Sequence, residues 1–196
     1  MATSALARRG EGTSLSTIDF SGRPDSQTFR SVFSQLPSGV TVITTVAPSG
    51  SPRGMTASAV CSLSLDPLLL LVCIDNRSGT LATLLDCGRF AVNILRDRHG
   101  EVAEAFTGPG PRFAGLAHSY ADGLPVLDDA LAWLSCRVHA AHPEGDHTIV
   151  VGAVTATGRS HGEPLVWHAG SYRSLAPSAL LSHQAISRRR SGSCSK

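Results

Sequence analysis

The sequence predicts a mainly β domain, an antiparallel barrel that is closed or partly closed and carries a few short helices. Three observations predict it. Alternating, β-branched runs succeed one another along the chain, the turns between them are short, and helical periodicity is confined to brief stretches. At 196 residues the chain suffices for one domain with a real core.

The elements follow in order. Residues 1–24 are rich in Ser, Gly, Thr and Arg without any period, and 177–196 repeat that character. The sequence therefore predicts a flexible N-terminal segment, a domain over 25–176 and a flexible basic C-terminal tail. Asp25 or Ser26 caps a short helix with Phe29, Val32, Phe33 and Leu36 on one stripe, stopped by Pro37 and Gly39. Residues 39–47, GVTVITTVA, alternate apolar residues with Thr. The turn-rich PSGSPRG then leads into GMTASAVCSLSL, a second alternating run that completes a hairpin. LLLLVCID at 68–75 reads as a buried strand, and SGTLATLLDCG as a helix from 78 to 88. A strand is expected at 90–95 and a helix at 97–106, with Val102, Ala103 and Phe106 at helical spacing and GPGPRFAG as the loop behind it. LAWLSCRVHAAH and HTIVVGAVTATG are two long strand candidates, followed by a shorter one at 164–167.

Composition removes several function classes. The longest uninterrupted apolar run, 68–74, has seven residues, far below the roughly 18 a spanning helix needs. No membrane span is expected. The first residues, MATSALARRGEGTS, lack the apolar core of a secretory signal, so the expected location is cytoplasmic. The formal charge is +2, but residues 25–176 hold ten basic and thirteen acidic residues, and Arg188, Arg189, Arg190 and Lys196 all lie in the tail. A mildly acidic body without a clustered basic face argues against nucleic acid as a partner.

Five cysteines, at 61, 73, 87, 136 and 194, are odd in number and widely spaced without C-x-x-C, which supports neither a disulfide framework nor a zinc site. His139 and His142 lack further ligands at metal-site spacing, so no metal is assigned. The chain contains no P-loop, no G-x-S-x-G and no H-E-x-x-H. GPGPRFAG lacks the third glycine of a dinucleotide fingerprint and joins no strand to a helix.

Two hydroxyl-rich strand ends remain. Met55-Thr56-Ala57-Ser58-Ala59, with Ser62 and Ser64 after it, offers small residues and donors to a flat polar ligand; an alternating edge strand is the plainer reading. Asp75-Asn76-Arg77-Ser78-Gly79-Thr80 joins a strand end to a helix start and offers a guanidinium, hydroxyls and free N–H groups to a phosphate; simple helix capping is the plainer reading. Both patterns in one chain, a single strand apart, point to a planar cofactor with a phosphate.

The succession GVTVITT, RGMTASAVCSLSLDP, LLLVCIDNRSGT, FAVNIL, RF, GDHTIVVGAV and HAGSYRSL resembles the flavin reductase-like family with the FMN-binding split β-barrel. These are the reductase components of two-component flavin-dependent monooxygenases. The likeness runs from about residue 29 to 175. It implies a homodimeric Greek-key split barrel that binds FMN or FAD, reduces it with NADH or NADPH, and releases it to a separate monooxygenase. By the same resemblance, Met55, Thr56, Ala57 and Ser58, with Ser62 following, lie along the isoalloxazine and ribityl chain. Asn76, Arg77, Ser78 and Thr80 serve the phosphate end. Arg112 and Phe113 fall near the flavin, in a segment where Pro111 stands in place of the family's Asp. His147, from Gly145-Asp146-His147, is the catalytic candidate beside the nicotinamide. Gly170, Tyr172 and Arg173 close the nicotinamide side, and Ala169 stands where many relatives have a second Gly.

Hydride transfer between stacked rings asks the protein for position rather than covalent chemistry. Two rivals share the expected barrel: an FMN-retaining oxidase of the pyridoxamine-phosphate oxidase-like type, and a flavin-binding module without turnover. Oxidation of NAD(P)H in proportion to added free flavin separates the reductase from both.

Overall fold

The computed structural model describes residues 23–108, 110 and 112–175. The expectations for the two chain ends fall almost wholly outside those residues. Helix α1 (Ser26–Phe33) begins where Asp25 accepts the Thr28 N–H at 2.7 Å, as its capping chemistry predicts. Its apolar stripe meets no core. Phe29 and Val32 stay 61% and 69% exposed.

Seven antiparallel strands form the main sheet: β2 (Thr41–Val46), β3 (Pro52–Ala57), β4 (Val60–Leu65), β5 (Leu68–Asp75), β6 (Arg89–Ile94), β9 (Ala132–Glu144) and β10 (His147–Arg159). Their spatial order is β3-β2-β6-β9-β10-β5-β4. The expected single run GMTASAVCSLSL thus breaks at Ser58–Ala59 into β3 and β4, which lie at opposite edges of the sheet. Alternation continues through the break, so the period gives no sign of it. The sheet remains open, a split barrel, and curls until β3 nears β5. β1 (Ser38–Gly39), β11 (Leu165–His168) and β12 (Ser171–Ser174) make a smaller sheet, while β7 (His118–Ala121) and β8 (Leu124–Leu127) make a hairpin. The sequence reading missed β7, β8 and β12.

Helix α2 (Gly79–Cys87) has Ser78 as its N-cap and ends at Gly88, as expected; α3 (Gly100–Ala105) is shorter than the predicted 97–106. Two apolar clusters sit on either side of β2. Ile43 joins Val72, Ile74, Leu84, Phe90 and Val150, and Val42 joins Leu95, Phe106 and Leu165. Each fully buried side chain of this size contributes about 1.5–3 kcal/mol. Burial on both faces corrects the simple reading of the Thr alternation in β2. The hydroxyls of Thr41, Thr44 and Thr45 are buried yet satisfied, donating to the carbonyls of Ala57, Pro125 and Arg89. β5 shows the opposite deviation: Leu70, Val72 and Ile74 are buried, whereas the residues between them are half-buried.

Candidate functional site

The site grows from one glycine in the interior of a strand. A Cβ on Gly54 would lie 2.8 Å from Phe106 Cε1 and 3.1 Å from the Ile43 carbonyl oxygen, so no larger residue fits without displacing its neighbours. The Gly54 carbonyl then accepts from Thr80 Oγ1 at 3.2 Å and from Arg112 Nη1 at 2.5 Å. A single backbone oxygen therefore pins β3 to α2 and to the loop that follows α3. Arg112 is further held by donation from Nε to the Gly108 carbonyl.

Three clefts follow one another along β3. The central one, about 470 Å³, is lined by Met55, Thr56, Arg77, Ser78, Phe106 and Arg112, among others. Thr56 donates its hydroxyl to the Ala103 carbonyl at 2.6 Å, fixing the strand against α3. Ser78 Oγ donates to Met55 Sδ and accepts the Thr80 N–H, so the α2 cap also touches β3. The Arg77 guanidinium is 89% exposed and grips Asp75 through Nε and Nη2, at 3.1 and 2.7 Å. Donation from that guanidinium, followed by the Arg77 N–H, holds the Asp75 carboxyl well below the usual carboxylate range. A cation presented at the mouth of an open cleft is suited to an anionic ligand.

Toward the start of β3 lies a cleft of about 580 Å³, where Arg53, Thr80, Thr83, Arg112 and Phe113 meet. Past its end lies the largest, about 780 Å³, between Ser58, Cys61, Cys73, Trp167 and Gly170 on one side and Phe29 and Phe33 on the other.

The structure brings Met55, Thr56, Arg77, Ser78 and Arg112 together in the central cleft. Thr80 and Phe113 line the cleft beside it, and Ser58 and Gly170 the apolar one. Other expected site residues stand elsewhere. Asn76 is occupied by the 145–148 turn: its Nδ2 donates to the Gly145 carbonyl and its Oδ1 accepts from Thr148 Oγ1. Ala57 faces the core and Ser62 is exposed on β4, whereas Thr80, at the edge of the neighbouring cleft, is buried with its hydroxyl on Gly54. His147 is half-buried opposite Asp75, with Nδ1 2.7 Å from Asp146 Oδ1, outside all three clefts. Tyr172 packs edge-on against Trp167 at 4.9 Å, and Arg173 is exposed. Sequence reasoning missed Arg53, Gly54, Thr83 and Phe106. The glycine inside an alternating run was the available signal for a close backbone approach.

The family described as flavin reductase like domain matches residues 33–176. This chain belongs to that family. The NADH flavin reductase of Kitasatospora aureofaciens is 48% identical to it over 141 residues, covering 70% of this chain and 74% of that protein. The NADH:FAD oxidoreductase SgcE6 of Streptomyces globisporus C-1027, solved in complex with NAD and FAD fragments, superposes with a TM-score of 0.75 at 34% identity. That likeness covers 79% of this chain and 95% of the other. BorF, the flavin reductase component of a bacterial two-component tryptophan halogenase, gives a TM-score of 0.72 at 35% identity over 77% of this chain and 98% of its own. A flavin reductase fold thus carries the three clefts.

Proposed function

We propose that this chain reduces a diffusible flavin, FMN or FAD, with NADH or NADPH and delivers the product to a separate flavin-dependent monooxygenase. The observation that carries this reading is the meeting of Met55, Thr56, Arg77, Ser78 and Arg112 around one open cleft in a flavin reductase fold. The residues fit the group: an exposed guanidinium for a phosphate, the small residues Ser58 and Ala59 for a flat ring, and the apolar cleft they border. When bound, the flavin supplies the hydride-accepting ring. The protein's part is placement. Arg77 and Ser78 would hold the phosphate, Met55 to Ser58 would align the ring edge, and Gly170 would border the approach to it. His147, opposite Asp75 in the sheet, is proposed to orient the hydride donor. An open cleft suits a flavin that must leave.

The domain proposed to carry this activity spans 25–176. A homodimer is supported by the apolar residues that one chain leaves uncovered, Phe29, Phe33 and Leu36 beside the largest cleft and Leu63, Leu65 and Leu68 on the β4–β5 hairpin. Among the described residues no helix is long and apolar enough to cross a membrane. A cytoplasmic location is proposed, where reduced nicotinamide is available.

The test is NADH and NADPH oxidation with FMN, FAD or riboflavin added in increasing amounts. The rate is expected to rise with free flavin and saturate. A rate independent of added flavin, with FMN retained through gel filtration, would replace the reductase with an oxidase. No oxidation with any pairing would leave a binding module.

A further inference from the structure

A further cleft, of about 360 Å³, lies between the β7–β8 hairpin and the sheet, where β9 starts and β10 ends. It shares no lining residue with the three clefts along β3. Tyr120 and Asp128 line it from one side, Trp133, Gly158 and Arg159 from the other. Its two aromatic rings are fixed by their neighbours. Trp133 stands opposite Gly158 in the sheet, and a Cβ on that glycine would lie 2.6 Å from Trp133 Cε2 and 2.9 Å from Cζ2, so the indole rests on bare backbone. The exposed Tyr120 ring leans on His118, with centroids 5.8 Å apart. His118 packs against Phe113 at 5.1 Å, and Phe113 against Phe106 at 5.0 Å. A row of rings therefore braces the tyrosine from the interior outward.

We infer that this cleft is a second small-molecule site, which takes an aromatic carboxylic acid of one or two rings bearing a hydroxyl or amino donor. The inference stands apart from the flavin reading. Arg159 is exposed and makes no ion pair among the described residues, which leaves its fork for a carboxylate. Arg96, the other cation on the wall, is already committed to Asp129, to the Ser160 hydroxyl and to the His161 carbonyl. Asp128 Oδ1 accepts from Ser119 Oγ at 2.6 Å, and Oδ2 is left for a donor on the ligand. Tyr120 and Trp133 supply the ring contacts. The volume lies within the roughly 300–1,000 Å³ of small-molecule sites. An aliphatic anion would gain nothing from the two rings. A neutral arene would leave Arg159 unanswered.

The experiment is isothermal titration of the full chain with 4-hydroxybenzoate, phenol and acetate. The hydroxybenzoate is expected to bind about tenfold or more tighter than phenol, which lacks the carboxylate, and than acetate, which lacks the ring. Arg159→Gln removes the charge and should weaken the hydroxybenzoate about tenfold. Tyr120→Ser removes one ring and should weaken it about two- to tenfold. Both substitutions replace exposed side chains, so circular dichroism of the variants should match the parent. No saturable binding of the hydroxybenzoate overturns the site outright. Acetate bound as tightly would reduce the cleft to a general anion patch, phenol bound as tightly would leave the guanidinium without a part, and either result sinks the proposal. An affinity unaltered in both variants would put the acid elsewhere on the molecule and overturn the proposal as well.

Discussion

Asp75 and Arg77 set the electrostatics of the central cleft, and they oppose each other. The guanidinium suited to a phosphate is already paired, and the carboxylate that pairs with it repels the same phosphate. Asp75→Asn is expected to tighten FMN binding about two- to fivefold, the scale of an exposed ion pair, and to leave riboflavin, which lacks the phosphate, unchanged. Weaker FMN binding in isothermal titration would contradict this. The sign of the pH effect follows from the depressed carboxyl. Asp75 stays charged through mild acid, and the pair's contribution to stability, full above the ordinary carboxylate range, fades only as pH falls well below it. Ala169 is a second residue out of equilibrium with its setting. It holds φ of +49° while its N–H donates to the Ser34 carbonyl. Left-handed backbone costs a residue with a Cβ roughly 1–2 kcal/mol, and glycine returns part of that as chain entropy. Ala169→Gly should therefore stabilise the protein by about 0.5–1 kcal/mol in urea unfolding; a lower midpoint would refute it. At this scale the cluster 75–80 was legible, because a strand end and a helix cap are local patterns. The fate of the Asn76 amide was not, since its partners come from the turn at 145–148.

Between elements, the long strands β9 and β10 carry the sheet, and their pairing shifts register at Val151/Gly152. Gly152 lies under Phe90. A Cβ there would be 2.5 Å from Phe90 Cζ and 3.0 Å from Cys136 Cβ. Gly152→Ala is expected to cost about 1–3 kcal/mol of unfolding free energy through overpacking. Pairing it with Phe90→Leu should recover part of that loss, and purely additive losses would show that the ring is not the obstacle. Helix α2 and strand β5 were readable because Ser78, Gly88 and the 68–75 run signal their own boundaries. β7, β8 and β12 have four residues each and pair with sequence neighbours across the two-residue turns Asp122–Gly123 and Ala169–Gly170, a local hairpin signal that the sequence reading passed over. Arg53 and Thr83, by contrast, carried no signal: they share a cleft because β3 lies against α2, a neighbourhood that neither segment encodes alone.

For the molecule as a whole, the uncovered stripe of α1 and the leucines of the β4–β5 hairpin are exposed apolar surfaces of the kind the proposed homodimer would cover. Sedimentation is expected to show a dimer, and Phe29→Glu with Phe33→Glu to convert it to monomer without loss of secondary structure by circular dichroism. A parent protein that sediments as a monomer at tens of micromolar, the range where interfaces of modest size already form, would count against it. The barrel architecture itself was legible from the succession of strands; the edge-to-edge crossing was not. Ser58 and Ala59 are a two-residue bridge between the rims of an open sheet. A ring lodged against that bridge would press on the shortest covalent path between the rims, so cargo loading and the breathing of the whole cylinder would be mechanically one event.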